Sequence, residues 1–118
     1  MTRRRLPTKR RCVRVKANVA GHRVYVDIGQ YADGTPGEIF VTVAKAGSVL
    51  RGLLDAWSVS TSLGLQHGVP LKSIVLAELG REFDPFGPVE GDGTITECTS
   101  LTDYVARVLA ELYPELVG

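Results

Sequence analysis

The chain has 118 residues, with 14 basic and 13 acidic side chains, 44% hydrophobic and 23% charged content. That size fits one compact domain, and the composition excludes a disordered chain. No apolar run approaches the roughly 20 residues a membrane span needs. The net charge of +1 conceals a split. Residues 1–16 hold eight basic residues (Arg3, Arg4, Arg5, Lys9, Arg10, Arg11, Arg14, Lys16) and no acid, whereas the rest hold six basic and all thirteen acidic residues. The sequence is therefore a +8 arm on a −7 body.

Residues 1–11 are polar and basic around Leu6 and Pro7, and are expected to form a flexible, extended arm. Residues 12–118 are expected to form a single α+β domain. Over residues 12–19, Val13, Val15 and Ala17 alternate with Arg14, Lys16 and Asn18, the pattern of a half-exposed strand. Ala20-Gly21 makes a tight turn. Residues 22–29 alternate again, with Val24, Val26 and Ile28 opposed to Arg23, Tyr25 and Asp27, which completes a hairpin. Asp33-Gly34-Thr35-Pro36-Gly37 is a dense turn cluster. Residues 38–44 form a third strand rich in β-branched side chains.

The period then changes. Ser48 is placed to cap a helix carrying Val49, Leu50, Leu53, Leu54, Trp57, Val59, Leu63 and Leu65 at helical spacing. Gly68 with Pro70 ends it. This helix is expected to be the central one, packed on the sheet with Trp57 in the core. Pro70 opens a second helix through about residue 79, with Ile74, Val75 and Leu76 buried. Residues 81–97 carry Pro85, Gly87, Pro88, Gly91 and Gly93 and read as a long irregular loop pinned by Phe83 and Phe86. Ser100 and Asp103 form a capping box whose second half is weak, because aspartate is short. Tyr104, Val105, Val108, Leu109 and Leu112 are the apolar face of the last helix, closed by Pro114. The order predicts a three-stranded antiparallel β-meander followed by three helices packed on one face.

Two cysteines, Cys12 and Cys98, lie far apart, and Met1 is followed by arginines rather than an apolar h-region. The expectation is a reduced, cytoplasmic protein with two free thiols. Two histidines and two cysteines without close pairing do not make a zinc set. His22 and His67 read as structural. Ser58, Ser60 and Ser62 lack a nucleophile elbow, and Gly91-Asp92-Gly93 lacks the residues of a phosphate loop.

Three groups remain as candidate sites. Arg3, Arg4, Arg5, Arg10 and Arg11 carry charge for the phosphates of a nucleotide or nucleic acid, or for an acidic partner surface. The plain alternative is a solubilising tail, and no aromatic residue interleaves the arm as single-strand binding would require. Tyr31, Asp33, Gly34, Gly37 and Glu38 could present glycine amides to an anion, although a tight strand connection needs the same residues, and turn chemistry favours that. Arg81, Phe83, Asp84 and Gly87 open the long loop, where arginine with an aromatic could clamp a base and a phosphate. The alternative there is a loop pinned by Phe83 and salt-bridged at its surface.

Several stretches resemble a known family. They are Gly21-His22-Arg23-Val24-Tyr25-Val26, Gly29-Gln30-Tyr31-Ala32-Asp33-Gly34, Gly37-Glu38-Ile39-Phe40 and Ala44-Lys45-Ala46-Gly47-Ser48. The run from Ser62 to Leu71, Arg81-Glu82-Phe83-Asp84-Pro85 and the arm's Arg5-Leu6-Pro7 continue the likeness. Together they resemble the TSCPD family, as found at the C-terminus of vitamin B12-dependent (class II) ribonucleotide reductases, over residues 3–113. Of the naming motif, Thr99, Ser100 and Asp103 match, while Leu101 and Thr102 stand where the motif has Cys and Pro.

The resemblance implies a link to deoxyribonucleotide synthesis, with cobalamin only by association and no cofactor of this chain's own. Radical reduction needs a large barrel, a thiyl cysteine, a reducing cysteine pair and a cobalamin site, which this chain does not supply. The expectation is a non-catalytic accessory domain. It would bind a nucleotide-like ligand or a reductase large subunit through the arm and the loop after Arg81. The alternative is a nucleic-acid-binding accessory protein using the arm. An enzyme ranks third, for want of a convergent acid, base or nucleophile. No membrane partner is expected. Self-association is, because a three-stranded sheet leaves edges and one face to cover.

Overall fold

The computed structural model describes residues 2–118. In chain order the elements are β1 (Cys12–Val19), β2 (His22–Gln30), β3 (Pro36–Val43), α1 (Ser48–Gln66), α2 (Leu71–Glu78), β4 (Gly87–Glu90), β5 (Glu97–Cys98), α3 (Leu101–Leu112) and α4 (Pro114–Val117). The fold is α+β, with strand order β3-β2-β1-β4-β5. The meander is present, and the segment read as irregular contributes two further short strands. A short fourth helix follows Pro114. No described helix is long and apolar enough to cross a membrane. The chain divides into two compact units, residues 1–15 with 25–69 and residues 16–24 with 70–118.

The first unit holds the start of β1, most of β2, β3 and α1. Its strands bury Val26, Ile28, Ile39, Val41 and Val43, and Leu54 of α1 joins this core. The packing of α1 on β3 is chemically unusual. β3 ends the sheet, so one row of its backbone groups lacks a strand partner. Ser58, Ser62 and Gln66, one turn apart on the buried side of α1, supply the partners. Ser58 Oγ accepts from Val41 N at 3.1 Å. Ser62 Oγ accepts from Ile39 N at 2.9 Å and donates to Ile39 O at 3.2 Å. Gln66 Nε2 donates to Gly37 O at 2.9 Å. Buried backbone groups must be paired, so a polar stripe is what this helix needs on its inner side.

Two expectations are corrected here. Ser48 is the first helical residue, Gly47 takes the N-cap position, and no side chain caps the helix. The apolar set of α1 is split between two sides: Leu54 is buried, Leu50, Leu65 and Trp57, expected in the core, are half-buried, and Val49, Leu53, Val59 and Leu63 are exposed.

The second unit begins with the end of β1, the Ala20-Gly21 turn and the start of β2. Both turn residues have positive φ, 49° and 84°, as a tight two-residue hairpin turn requires. β4 runs antiparallel to β1 with Asn18 opposite Glu90 and Val19 opposite Val89. β5 runs antiparallel to β4 with Gly87 opposite Cys98. Helices α2, α3 and α4 pack on one another, around Leu71, Val75, Leu101, Tyr104, Val105, Val108 and Leu109. Leu76, expected inside, is exposed.

The capping box of α3 is present in its first half: Ser100 Oγ accepts from Asp103 N at 3.0 Å. Asp103 does not return to Ser100. Its fully buried carboxylate instead accepts from Gly80 N at 2.7 Å, Thr99 N at 2.9 Å and Arg107 Nε at 2.9 Å. Burial pushes this carboxyl upward, but the three donors outweigh it and hold it below the usual carboxylate value.

The long loop is anchored differently from expectation. Phe86 is exposed and Phe83 only half-buried. The anchor is Asp92, which accepts from Ile95 N at 2.9 Å, Thr94 N at 3.2 Å and Tyr104 Oη at 2.7 Å. Burial first, and then the Asp92 carboxylate, push the Tyr104 phenol well above its ordinary value.

Candidate functional site

In the first unit the arm lies along the turn that follows β2, and Arg4 is the centre of that contact. Its backbone N–H donates to Gln66 O at 2.7 Å, and its carbonyl accepts from Tyr31 Oη at 2.6 Å. Its guanidinium stacks 3.7 Å above the Tyr31 ring and pairs with Asp33 at 3.6 Å. Arg3 Nε donates to Gln66 Oε1 at 2.7 Å, so one glutamine holds both β3 and the arm. Arg10 pairs with Glu38 at 2.9 Å and donates to Pro7 O at 2.8 Å. Gln30 N donates to Arg11 O at 2.9 Å.

The turn is internally satisfied. Gly34 N donates to Tyr31 O and Tyr31 N to Thr35 O, each at 2.9 Å. Asp33 Oδ1 accepts from Thr35 N at 2.9 Å and Thr35 Oγ1 at 2.6 Å. These hydrogen bonds, and then Arg4, hold the Asp33 carboxyl below its ordinary value. The glycine amide at this turn therefore serves the turn. Gly37 is needed for space: a Cβ there would sit 2.7 Å from Tyr31 Cε2 and 3.0 Å from Leu6 Cδ2.

A cleft of about 300 Å³ opens between arm and turn, with Pro7, Lys9, Arg10 and Arg11 on one side and Gln30, Tyr31, Ala32 and Gly34 on the other. Arg10 is neutralised by Glu38. Lys9 and Arg11 have no acidic partner among the described residues, and neither does the exposed Arg5. The cleft is thus cationic; Tyr31 lines it but is buried, with its ring under the Arg4 guanidinium, so what the cleft offers a ligand is charge for an anion. Of the anticipated residues, Arg10, Arg11, Tyr31 and Gly34 line it; Arg4 contacts Tyr31, Glu38 pairs with Arg10, and Asp33 pairs with Arg4. Arg3 is turned onto Gln66. The candidate groups leave out Lys9, which counts among the arm's basic residues, and Gln30 and Gln66. The one available signal was the four-residue spacing of Ser58, Ser62 and Gln66.

The second unit carries a separate cleft of about 410 Å³, lined by Glu82, Phe83, Asp84, Phe86 and Thr99. Arg81 does not line it. Its Nε pairs with Glu78 at 3.0 Å and its Nη2 donates to Ala77 O at 3.1 Å, closing the end of α2. Arg81 and Phe83 therefore do not converge as a clamp, and the cleft is acidic rather than phosphate-seeking.

Cys12 is exposed and Cys98 buried, both as free thiols. Burial pushes the Cys98 thiol up. Among the described residues no three His, Cys, Asp or Glu side chains converge as a metal site. Clefts of about 300 and 410 Å³ lie at the small end of ligand pockets and do not fit a group as large as cobalamin.

The residues matching the naming motif have a structural job. Thr99 Oγ1 donates to Arg81 O at 2.8 Å, Ser100 caps α3, and Asp103 gathers three donors. Leu101 takes no part in these bonds and Thr102 Oγ1 lies 3.4 Å from the capping Ser100 Oγ, so the lock on the helix start is intact despite the two departures.

Comparison with known proteins agrees. The chain is 44% identical over 111 residues to a vitamin B12-dependent ribonucleotide reductase of Bradyrhizobium diazoefficiens, covering 94% of this chain and 9% of that protein. It is 42% identical over 111 residues to the enzyme of that name in Agrobacterium fabrum, again 94% of this chain and 9% of the relative. A third, from Rhodopirellula baltica, is 40% identical over 107 residues, 91% of this chain and 10% of the relative. The chain thus spans about a tenth of the length of these curated relatives. No solved structure matches. Residues 1–113 match the family model described as the TSCPD domain, and the chain belongs to that family.

Proposed function

We propose that this chain is an accessory module of deoxyribonucleotide metabolism, non-catalytic by itself, that holds the phosphate of a nucleotide-like ligand in the cleft between the arm and the Tyr31 turn. The observation that carries this reading is the convergence of Lys9 and Arg11, without acidic partners among the described residues, on a cleft walled by Tyr31. The relatives, named as ribonucleotide reductases, support a nucleotide in preference to other anions. A nucleic-acid role has less to draw on, because Arg3, Arg4 and Arg10 are engaged with Gln66, Asp33 and Glu38.

Titration calorimetry with ribo- and deoxyribonucleotides, and with inorganic triphosphate as the phosphate-only probe, tests this. Binding is expected to weaken at least tenfold in the double variant Lys9→Glu/Arg11→Glu and to fall with salt, while Arg81→Ala leaves it unchanged. Failure of every probe to bind at millimolar concentration, or binding indifferent to Lys9 and Arg11, overturns the reading.

A further inference from the structure

We propose that α1 pairs antiparallel with α1 of a second copy of this chain, about a two-fold axis at Ala56. This inference stands apart from the phosphate cleft. The inner side of α1 combines Leu54 with Ser58, Ser62 and Gln66, which serve β3, and a further set of apolar residues faces outward: Val49 is 75% exposed, Leu53 65%, Val59 51% and Leu63 38%. At about 100° per residue these four and the exposed Ala56 lie within about a 120° arc opposite Ser58 and Ser62. No charge interrupts the arc. The charged residues of α1 are Arg51 and Asp55, both off the arc, and Arg51 is turned back to Ala46 O at 3.0 Å.

The spacing points to a second copy. Val49 and Leu63 are equidistant from Ala56, and so are Leu53 and Val59. An antiparallel two-fold pairing centred on Ala56 therefore sets Val49 against the other copy's Leu63 and Leu53 against its Val59, each contact made twice. The centre is small, with Gly52, Ala56 and Ser60, which lets two helices approach closely. The four apolar side chains leave roughly 400 Å² of apolar surface in water, the size at which a patch marks a contact surface. Two copies would bury about 800 Å² from them, rising toward about 1,200 Å² with the small residues between, the low end of specific interfaces. The pairing is accordingly a weak, reversible one. Self-association then draws on a helix face and not on the β3 edge, whose groups at Gly37, Ile39 and Val41 are partnered by α1 side chains.

Sedimentation velocity on the full chain from about 1 to 500 µM tests the pairing over the range of a weak, transient interface. A monomer–dimer equilibrium is expected, weakened at least tenfold by Leu53→Asp. In a Cys12→Ser background, Ala56→Cys is expected to form a disulfide-linked dimer on mild oxidation. Val49→Cys is expected to cross-link to Leu63→Cys in a mixture of the two, and not to itself. These positions are exposed, and a circular dichroism melt confirms that each variant folds. A monomer at every concentration overturns the proposal and leaves the face to a different protein. A dimer indifferent to Leu53→Asp, or a Val49→Cys self cross-link, overturns it equally.

Discussion

Replacing Asp103 tests whether the start of α3 is held by one buried carboxylate. The side chain is fully buried and accepts from Gly80 N, Thr99 N and Arg107 Nε. In Asp103→Ala two backbone N–H groups lose their acceptor, at about 1–3 kcal/mol each. Arg107 is partly exposed and regains water, so its loss is small. The expected destabilisation is about 3–5 kcal/mol, a large share of the roughly 5–15 kcal/mol of a domain. Asp103→Asn keeps one acceptor oxygen and is expected to cost less, about 2–3 kcal/mol. Urea unfolding followed by far-ultraviolet circular dichroism measures both. The pH dependence supplies a second readout. The carboxyl is held below its unfolded value of about 3.9, so its contribution is full above about pH 4 and is lost as pH falls through the lower folded value. The gap between wild type and Asp103→Asn should therefore be constant from pH 7 to about 5 and shrink below about 4. An Asp103→Ala variant within about 0.5 kcal/mol of wild type, or a gap that widens in acid, would refute the reasoning.

Three further outcomes are expected. Ser62→Ala should cost about 2–3 kcal/mol in the same assay, because the buried N–H and C=O of Ile39 both lose their partner; a change under about 0.5 kcal/mol would mean that the β3 edge finds other partners. Gly37→Ala should destabilise by about 1–3 kcal/mol and weaken phosphate binding, since the new methyl displaces the Tyr31 ring and Leu6; wild-type melting and affinity would contradict the packing described. A thiol-specific reagent at pH 8 should modify Cys12 quickly and Cys98 only after denaturation, because Cys98 is buried and its thiol is pushed up by that burial; equal rates for the two would show that the second unit opens readily.

The meander could be read from the sequence because alternation at period two directly reports one buried face, as in Val24, Val26 and Ile28. The start of α3 was equally plain from Ser100 and Asp103, although which amides Asp103 serves depends on Gly80, distant in sequence. For α1 the period holds, but only part of the apolar set packs: Leu54 is buried and Val49, Leu53, Val59 and Leu63 are in water. Hydrophobic spacing identifies an amphipathic helix but assumes that the apolar face is the packed one, and here the packed face must satisfy a strand edge. Strands β4 and β5 were hidden because they are four and two residues long, and because β4 rests on pairing with β1, a long-range contact that local propensity does not report. The cleft was half visible. The cations and the turn were each marked, and their meeting follows from Tyr31 and Gln66 holding the backbone of Arg4.

That last contact separates the anchoring of the arm from the phosphate binding proposed for Lys9 and Arg11, which its charge alone would merge. The ion pairs of Arg4 with Asp33 and Arg10 with Glu38 lie at the surface, where such pairs contribute about 0–1 kcal/mol and are screened by salt. The bonds of Arg4 N to Gln66 O and of Tyr31 Oη to Arg4 O involve no net charge. If these neutral bonds hold the arm, the Arg4 amide should stay protected in native-state hydrogen exchange between 0.01 and 1 M salt, over which the Debye length falls from about 30 to about 3 Å. Phosphate binding by Lys9 and Arg11 should weaken steeply over the same range. Exchange at Arg4 that accelerates in step with the loss of binding would show that attachment and binding share one electrostatic origin, and the division of the arm into anchoring and ligand-facing residues would fail.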